Sequence, residues 1–246
     1  LKEDFLNSSD FEEFGKTVST YLLGVPPEEQ AFIDALDQDI SLYKSASYIG
    51  VNEEGLVEVY SEVKSTSAYS DKATNLFIEA LEGDSQVMLK SPVIYQTDSG
   101  LEEHASIALA RQYLYGDFSS GGPSAEGLGL LTENNQYYQF DDQRKIPLYE
   151  GQMLINYAGK PFSFEMVSFI DVLNQNMEPS KFEGKLVLIG ETSSFRQDSH
   201  FTPIDQSVQM PGVEIHANRI QTILDQAFLR YQTPLEVVLM LMILLA

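Results

Sequence analysis

Four apolar residues, Leu186-Val-Leu-Ile189, run without a polar break, close on Gly190 and open into the polar stretch Glu191-Thr-Ser-Ser194. An apolar strand without alternation reads as buried on both faces, which requires a sheet covered by helices on two sides. Lys185–Ile189 is therefore expected to be a buried strand of an α/β fold, with the loop after it at the carboxyl edge of the sheet. In open α/β sheets, ligands sit at that edge. Glu191, Thr192, Ser193, Arg196, Asp198 and His200 are the groups so placed and are the candidates for ligand binding. The same residue types also suit helix caps and turns, so both readings stand at this point.

Apolar spacing organises the rest of the chain. Phe5, Phe11, Phe14, Val18, Tyr21 and Leu22 recur at helical steps until Pro26-Pro27, and Phe32, Ile33, Leu36 and Ile40 mark a second helix over Glu28–Tyr43. Ser47–Val51 and Leu56–Val63 read as a hairpin joined by Asn52-Glu-Glu-Gly55. Asp71–Leu81, Leu101–Tyr115 and Phe164–Leu173 are expected as helices. Gln86–Leu89, Leu128–Leu131, Gln136–Phe140 and Met153–Tyr157 are expected as strands, and residues 116–127 as a surface loop. The last amphipathic helix, Val213–Phe228, is entered through Pro211-Gly212 and carries Val213, Ala217, Ile220, Ile223, Leu224 and Phe228 along one stripe. The fold class is α/β, a mixed sheet flanked by helices, with an N-terminal helical and hairpin elaboration over residues 1–70.

Beyond Pro234 the chain turns wholly apolar, from Val237 to Ala246. A spanning helix needs about 20 such residues, so this run is expected to be the first part of a transmembrane helix over 235–246, with a buried C-terminal helix as the alternative. The sequence starts at Leu1 and not at Met, and reads as a piece of a longer chain. Only about five residues separate the amphipathic helix from Pro234, a link short enough to transmit a displacement.

Fifteen Lys plus Arg stand against 37 Asp plus Glu, a formal net charge of −22. That field repels phosphate backbones and argues against nucleic-acid binding. With no cysteine and only His104, His200 and His216, thiol chemistry, disulfides and a histidine-rich metal centre are not expected, nor is any cofactor. A metal held by Asp198, His200 and Glu191, or a hydrolytic set of Ser193 or Ser194 with His216 and Asp198, remains conceivable. No Gly-x-Ser-x-Gly elbow is present to project a serine, and His216 among apolar helix neighbours reads as a hydrogen-bonded structural residue.

Gly184-Lys-Leu-Val-Leu-Ile-Gly-Glu-Thr192, then Asp198, Thr202-Pro203 and Pro211-Gly-Val-Glu-Ile-His-Ala-Asn218, together resemble the type 2 CHASE domain. Ile146–Gly159 with Phe169-Ile-Asp-Val-Leu173, and Ser106–Leu114, fit the same family, over about Asp71 to Tyr231. The resemblance implies an extracellular sensory domain of bacterial adenylate cyclases, histidine kinases or serine/threonine kinases. Such a domain is itself not an enzyme and is followed by membrane helices and a cytoplasmic output domain. It also implies a periplasmic or extracellular position, a small-molecule or peptide signal, a homodimer, and attachment to the membrane through flanking helices. Glu214, His216 and Asn218 on the final helix, with Pro234 behind it, are then the candidates for relaying the signal. A membrane-anchored solute-binding or adhesion module is the alternative.

Overall fold

The computed structural model describes residues 41–51, 56–63, 74–78, 87–98, 100–116, 136–192 and 198–245. The chain divides into two units, Leu1–Tyr43 with Lys64–Asn75, and Lys44–Val63 with Leu76–Ala246. Nearly all described residues belong to the second. The expected helices before residue 41, the loop over 117–127 and the strand at Leu128–Leu131 lie outside the described residues.

The expected hairpin forms. Strands β1 (Ser41–Val51) and β2 (Val57–Val63) pair antiparallel, with Val51 opposite Val57 and Ile49 opposite Val59. Strand β1 is longer than expected: Ser41–Tyr43, read as the end of a helix, are already extended. A second correction falls on Asp71–Leu81, where β3 (Thr74–Phe77) stands in place of a helix. Leu76 and Phe77 are both buried, and the Phe77 ring packs 5.1 Å from that of Tyr95. Two adjacent aromatic and aliphatic residues suit helical spacing and a strand equally, and the sheet's cluster of Val57, Val59, Phe77 and Tyr95 decides for the strand.

Past β4 (Lys90–Pro92), strand β5 (Ile94–Thr97) adds to β2 in parallel, and β6 (Gly100–Glu103) returns antiparallel to β5. The sheet order is β3-β1-β2-β5-β6, a mixed sheet as expected. Gly100, with a φ of 123°, provides the backbone turn between β5 and β6 that a side chain would resist. The chain then passes His104 and enters helix α1 (Ala105–Tyr115). The expected helix began at Leu101, but 101–103 are taken by β6. His104 caps α1 through Nδ1, which accepts the Ser106 N–H at 3.0 Å, and Gly116 closes it in the left-handed region at φ 75°.

Smaller ladders complete the core. Strands β7 (Tyr137–Gln139) and β8 (Lys145–Pro147) form a hairpin, and β9 (Gln152–Leu154) pairs antiparallel with β4. On the other side of residues 87–92, Met88 N–H donates to the Phe201 carbonyl at 2.8 Å. Helix α2 is confined to Phe169–Leu173, five residues of the longer helix expected. Two-residue strands β10 (Ser199–His200) and β11 (Met210–Pro211) lead into α3 (Gly212–Leu224), which packs against α1. Helix α4 (Pro234–Leu244) follows. Among the described residues no helix is long and apolar enough to cross a membrane.

The apolar run that led the sequence reading differs most. Lys185–Ile189 is not paired as a strand, and Val187 and Ile189 are 51% and 70% exposed while Leu186 and Leu188 are half-buried. Residues 90–92 pair with 152–154, and Met88 on the other side bonds Phe201, while no ladder among the described residues takes in 185–189, of which only Leu186 and Leu188 are half-buried.

Candidate functional site

Three separate stretches of sequence meet at the start of α3. The Gly212 N–H donates to the Asp198 carbonyl at 2.9 Å, and a Cβ at Gly212 would lie 2.2 Å from Asp198 Oδ1. A Cβ at Gly190 would lie 2.6 Å from Val213 Cβ, an atom that cannot rotate out of the way. Gly190, Asp198 and Pro211-Gly-Val213 therefore form one close-packed junction. Gly190→Ala is expected to push the 185–192 segment off α3, at about 1–3 kcal/mol for forced overpacking, read as a lowered denaturant midpoint. Alanine at Gly184, which has φ 68° and open space around its Cβ position, would carry only the backbone strain and serves as the comparison.

Below the junction, one face of α3 is polar at positions i, i+4 and i+8. The Glu214 carboxylate accepts from the backbone N–H groups of Phe162 at 2.7 Å, Ser163 at 2.9 Å and Phe164 at 3.4 Å. Asn218 Oδ1 accepts from Ala158 N–H at 2.8 Å. Thr222 Oγ1 accepts from Asn156 N–H at 3.1 Å. All three side chains are buried. The segment 156–164 has no strand partner for these amides, so the helix side chains satisfy them in place of a ladder. Glu214 also lies in the first turn of α3, where the helix dipole favours a carboxylate.

The opposite face carries a column of rings and one cation. Tyr95 and His104 stack at 5.9 Å, and His104 and His216 at 5.8 Å. Against them lies Arg219, only 2% exposed. Its Nη1 donates to His216 Nδ1 at 3.1 Å and stands 3.3 Å from His104 Nε2; its Nη2 reaches Met88 Sδ at 3.5 Å. Its Nε has no partner, and among the described residues no carboxylate lies within ion-pair distance of it. Burial of a guanidinium without a paired anion is costly, because a charge loses its hydration with little in return. Asp198 is near enough to favour that charge, but its own side chain is largely exposed, 4.0 Å from His200 Nε2.

Both histidines are held neutral. Burial pushes His104 well below the ordinary histidine range, aided by Arg219 and then His216; the Ile78 carbonyl works the other way. For His216 the causes are burial, then Arg219, then His200. His104 meets a donor at each ring nitrogen, the Ser106 N–H at Nδ1 and Arg219 Nη1 at Nε2, and a neutral imidazole accepts at only one of them.

Compared with known proteins, the chain matches the CHASE2 domain over residues 8–246. The chain belongs to the CHASE2 family. This is a family of extracellular sensory domains, so the chain has a sensory and not a catalytic character. No curated relative and no solved structure matches it. The match is wider than the motifs in the sequence, taking in residues 8–70 and the apolar stretch behind Pro234.

The candidate residues are spread over several places in this CHASE2 domain. Asp198, His200 and His216 converge around Arg219. Glu191 and Thr192 are exposed, and the Thr192 N–H donates to Glu191 Oε1 at 3.1 Å. Ser193 and Arg196 lie outside the described residues. Glu214 and Asn218 hold the 156–164 segment, and Pro234 opens α4. Among the described residues no set of three His, Asp or Glu groups could hold a metal ion. His104 and Arg219 were not singled out from sequence. The signal for Arg219 was a charge three residues after His216 on an otherwise apolar helix face; for His104 its capping of Ser106 is local, but its other contacts, Tyr95, His216 and Arg219, are not.

Proposed function

We propose that this CHASE2 domain is the signal-input domain of a transmembrane receptor, and that α3 relays the signal into a membrane helix beginning at Pro234 and on to a cytoplasmic cyclase or kinase. The observation that carries this reading is the coupling of α4 to the sensory body. Tyr231 N–H donates to Tyr149 Oη at 2.9 Å, and the two rings meet edge to face at 4.6 Å. Arg230 bonds both oxygens of Glu236, at 2.8 and 2.6 Å, while Thr233 and Glu236 form a reciprocal capping box. Arg230 and Glu236 thus form a clasp across the entry to α4.

Helix α4 itself is apolar around its circumference, with Leu235 and Val237 to Leu245 all exposed. Its eleven residues rise about 16 Å, roughly half the hydrocarbon thickness of a bilayer. In this reading Glu191, Thr192, Ser193, Arg196, Asp198 and His200 are the candidates for meeting a small-molecule or peptide signal. Glu214, His216, Asn218 and Pro234 then form the relay, in a homodimer on the outer side of the membrane.

The test uses the full-length receptor in liposomes, with spin labels at Gln221 on α3 and Val238 on α4. The expected result is a change in the label separation between signalling states, and loss of that change when Arg230→Ala opens the clasp. A separation that stays fixed in every state would sink the relay.

A further inference from the structure

We propose that the end of the body beside α4 is a bilayer-facing surface, on which Tyr137, Tyr149 and Tyr231 form an aromatic collar seated in the zwitterionic headgroup layer of the outer leaflet. The inference rests on α4 entering a membrane, as proposed above, and adds a lipid contact made by the body itself.

The hydrogen bonds along α3 define which end of the body this is. Segment 156–164 runs antiparallel to the helix: Asn156 meets Thr222, Ala158 meets Asn218, and Phe162 to Phe164 meet Glu214. Glu214 and Thr222 are eight residues apart, about 12 Å along the axis. Asn156 Nδ2 also donates to the Ala227 carbonyl at 3.0 Å, past the C-terminal end of α3. Tyr149 stands at that same end, where its hydroxyl accepts the Tyr231 N–H and the two rings pack edge to face. Tyr137 joins them through the β7–β8 hairpin, opposite Pro147. The Arg230 charge, held first by Glu236, also feels the Tyr149 and Tyr137 phenols. Tyr137, Leu229 and Tyr231 are exposed, and Tyr149 is half-buried.

The link before α4 runs level with the start of that helix and not above it. Arg230 reaches both oxygens of Glu236, and Gln232 Nε2 reaches Met240 Sδ at 3.1 Å. A carboxylate is costly in hydrocarbon, whereas α4 is apolar from Val237 onwards. The hydrocarbon boundary therefore falls just past Glu236, and Arg230, Tyr231 and Gln232 fall in the headgroup layer, ~5–7 Å thick. Tyrosine suits that layer, with its ring towards the acyl chains and its hydroxyl towards water. Arg230 is already engaged by Glu236 and the chain carries a net charge of −22, so the contact is aromatic and needs no anionic lipid. A body seated in this way cannot rock freely on its link, and a displacement of α3 passes into α4 instead of being lost in reorientation of the whole domain.

The test uses the full-length receptor in phosphatidylcholine vesicles brominated either near the headgroup or near the chain ends. The chain has no tryptophan, so one introduced residue is read as the fluorescence it adds to the parent receptor. Tyr137→Trp and Tyr231→Trp should lose that fluorescence to the shallow bromines and not to the deep ones. Ile243→Trp, about 10 Å further along α4 than Glu236, should lose it to the deep ones. Phe162→Trp, exposed at the opposite end of α3, should lose none. Tyr137 decides the matter because it belongs to the body and not to the link. If Tyr137→Trp quenches with neither lipid while Ile243→Trp quenches, the collar is overturned and the membrane helix stands, whether that face is bare or covered by a second copy. If Ile243→Trp quenches with neither lipid, the membrane reading and the collar fall together. Equal quenching at Phe162, or quenching at Tyr137 that appears only after phosphatidylglycerol is added, also overturns the collar. Should Tyr137→Trp not fold, Leu229→Trp, exposed at the same end, is held to the same outcomes.

Discussion

Arg111→Met should lower the unfolding free energy by about 3–5 kcal/mol. The guanidinium is 1% exposed and lies 4.6 Å over the Phe140 ring. It donates to the Phe140 carbonyl at 2.7 Å, to Glu103 Oε1 at 2.7 Å and to Tyr138 Oη at 3.3 Å. Tyr138 in turn donates to the same Glu103 oxygen. Burial, and then the Glu103 charge, push the Tyr138 phenol well above its ordinary range, so it stays a donor. Without Arg111 the Glu103 carboxylate, at 11% side-chain exposure, keeps one phenol and loses its counter-charge. Urea unfolding measures the loss. The double variant Arg111→Met with Glu103→Gln should recover a good part of it, because the cost of breaking a buried pair is mostly the charge left behind. A single-variant loss below about 1 kcal/mol would mean that water reaches Glu103 and that the network is not buried as described.

Glu214→Ala comes second, at about 3 kcal/mol, or roughly 6–12 °C in melting temperature for a domain of this size. The carboxylate answers three backbone N–H groups at once, and alanine leaves them without an acceptor. Glu214→Gln should help little, since its amide nitrogen would turn a donor towards donors. The accompanying sign is local: amides 162–164 should exchange much faster while those of α1 are hardly changed. A melting shift below about 2 °C would show that the 159–164 turn holds itself without α3.

Much of the architecture could be read directly from the residues. Helices α1 and α3 were visible because their apolar spacing is long and bounded by Gly116 and by Pro211-Gly212. The β1–β2 hairpin was visible because alternating strands flank a polar turn. Where two periods fit a short run, sequence could not choose: Leu76-Phe77 went to a strand because Tyr95 and Val57, far along the chain, complete a cluster with Phe77. Leu186–Ile189 carried a strong strand signal, yet it joins no ladder among the described residues and buries only its alternate residues Leu186 and Leu188 in part, a pattern that its unbroken apolar run did not announce. For the site, the junction of Gly190, Asp198 and Gly212 was foreshadowed by the motif, but the roles were not. Glu214 and Asn218 were relay candidates from the motif alone, and their burial as acceptors of backbone N–H groups was not foreseen. The polar repeat Glu214, Asn218, Thr222 at four-residue steps was the available sign, since three polar residues stacked on one helix face ask for partners.

That repeat limits how α3 can move. Each acceptor on its polar face engages an amide of the 156–164 segment, and successive acceptors are four residues, about 6 Å, apart along the axis. A shift of 2 or 3 Å would strand every one of those amides between acceptors, while a shift of one full turn brings Asn218 to where Glu214 stood and Thr222 to where Asn218 stood. The helix is seated in detents. Any axial travel it transmits is quantised, a whole notch or none, which makes the element closer to a toggle than to a dial.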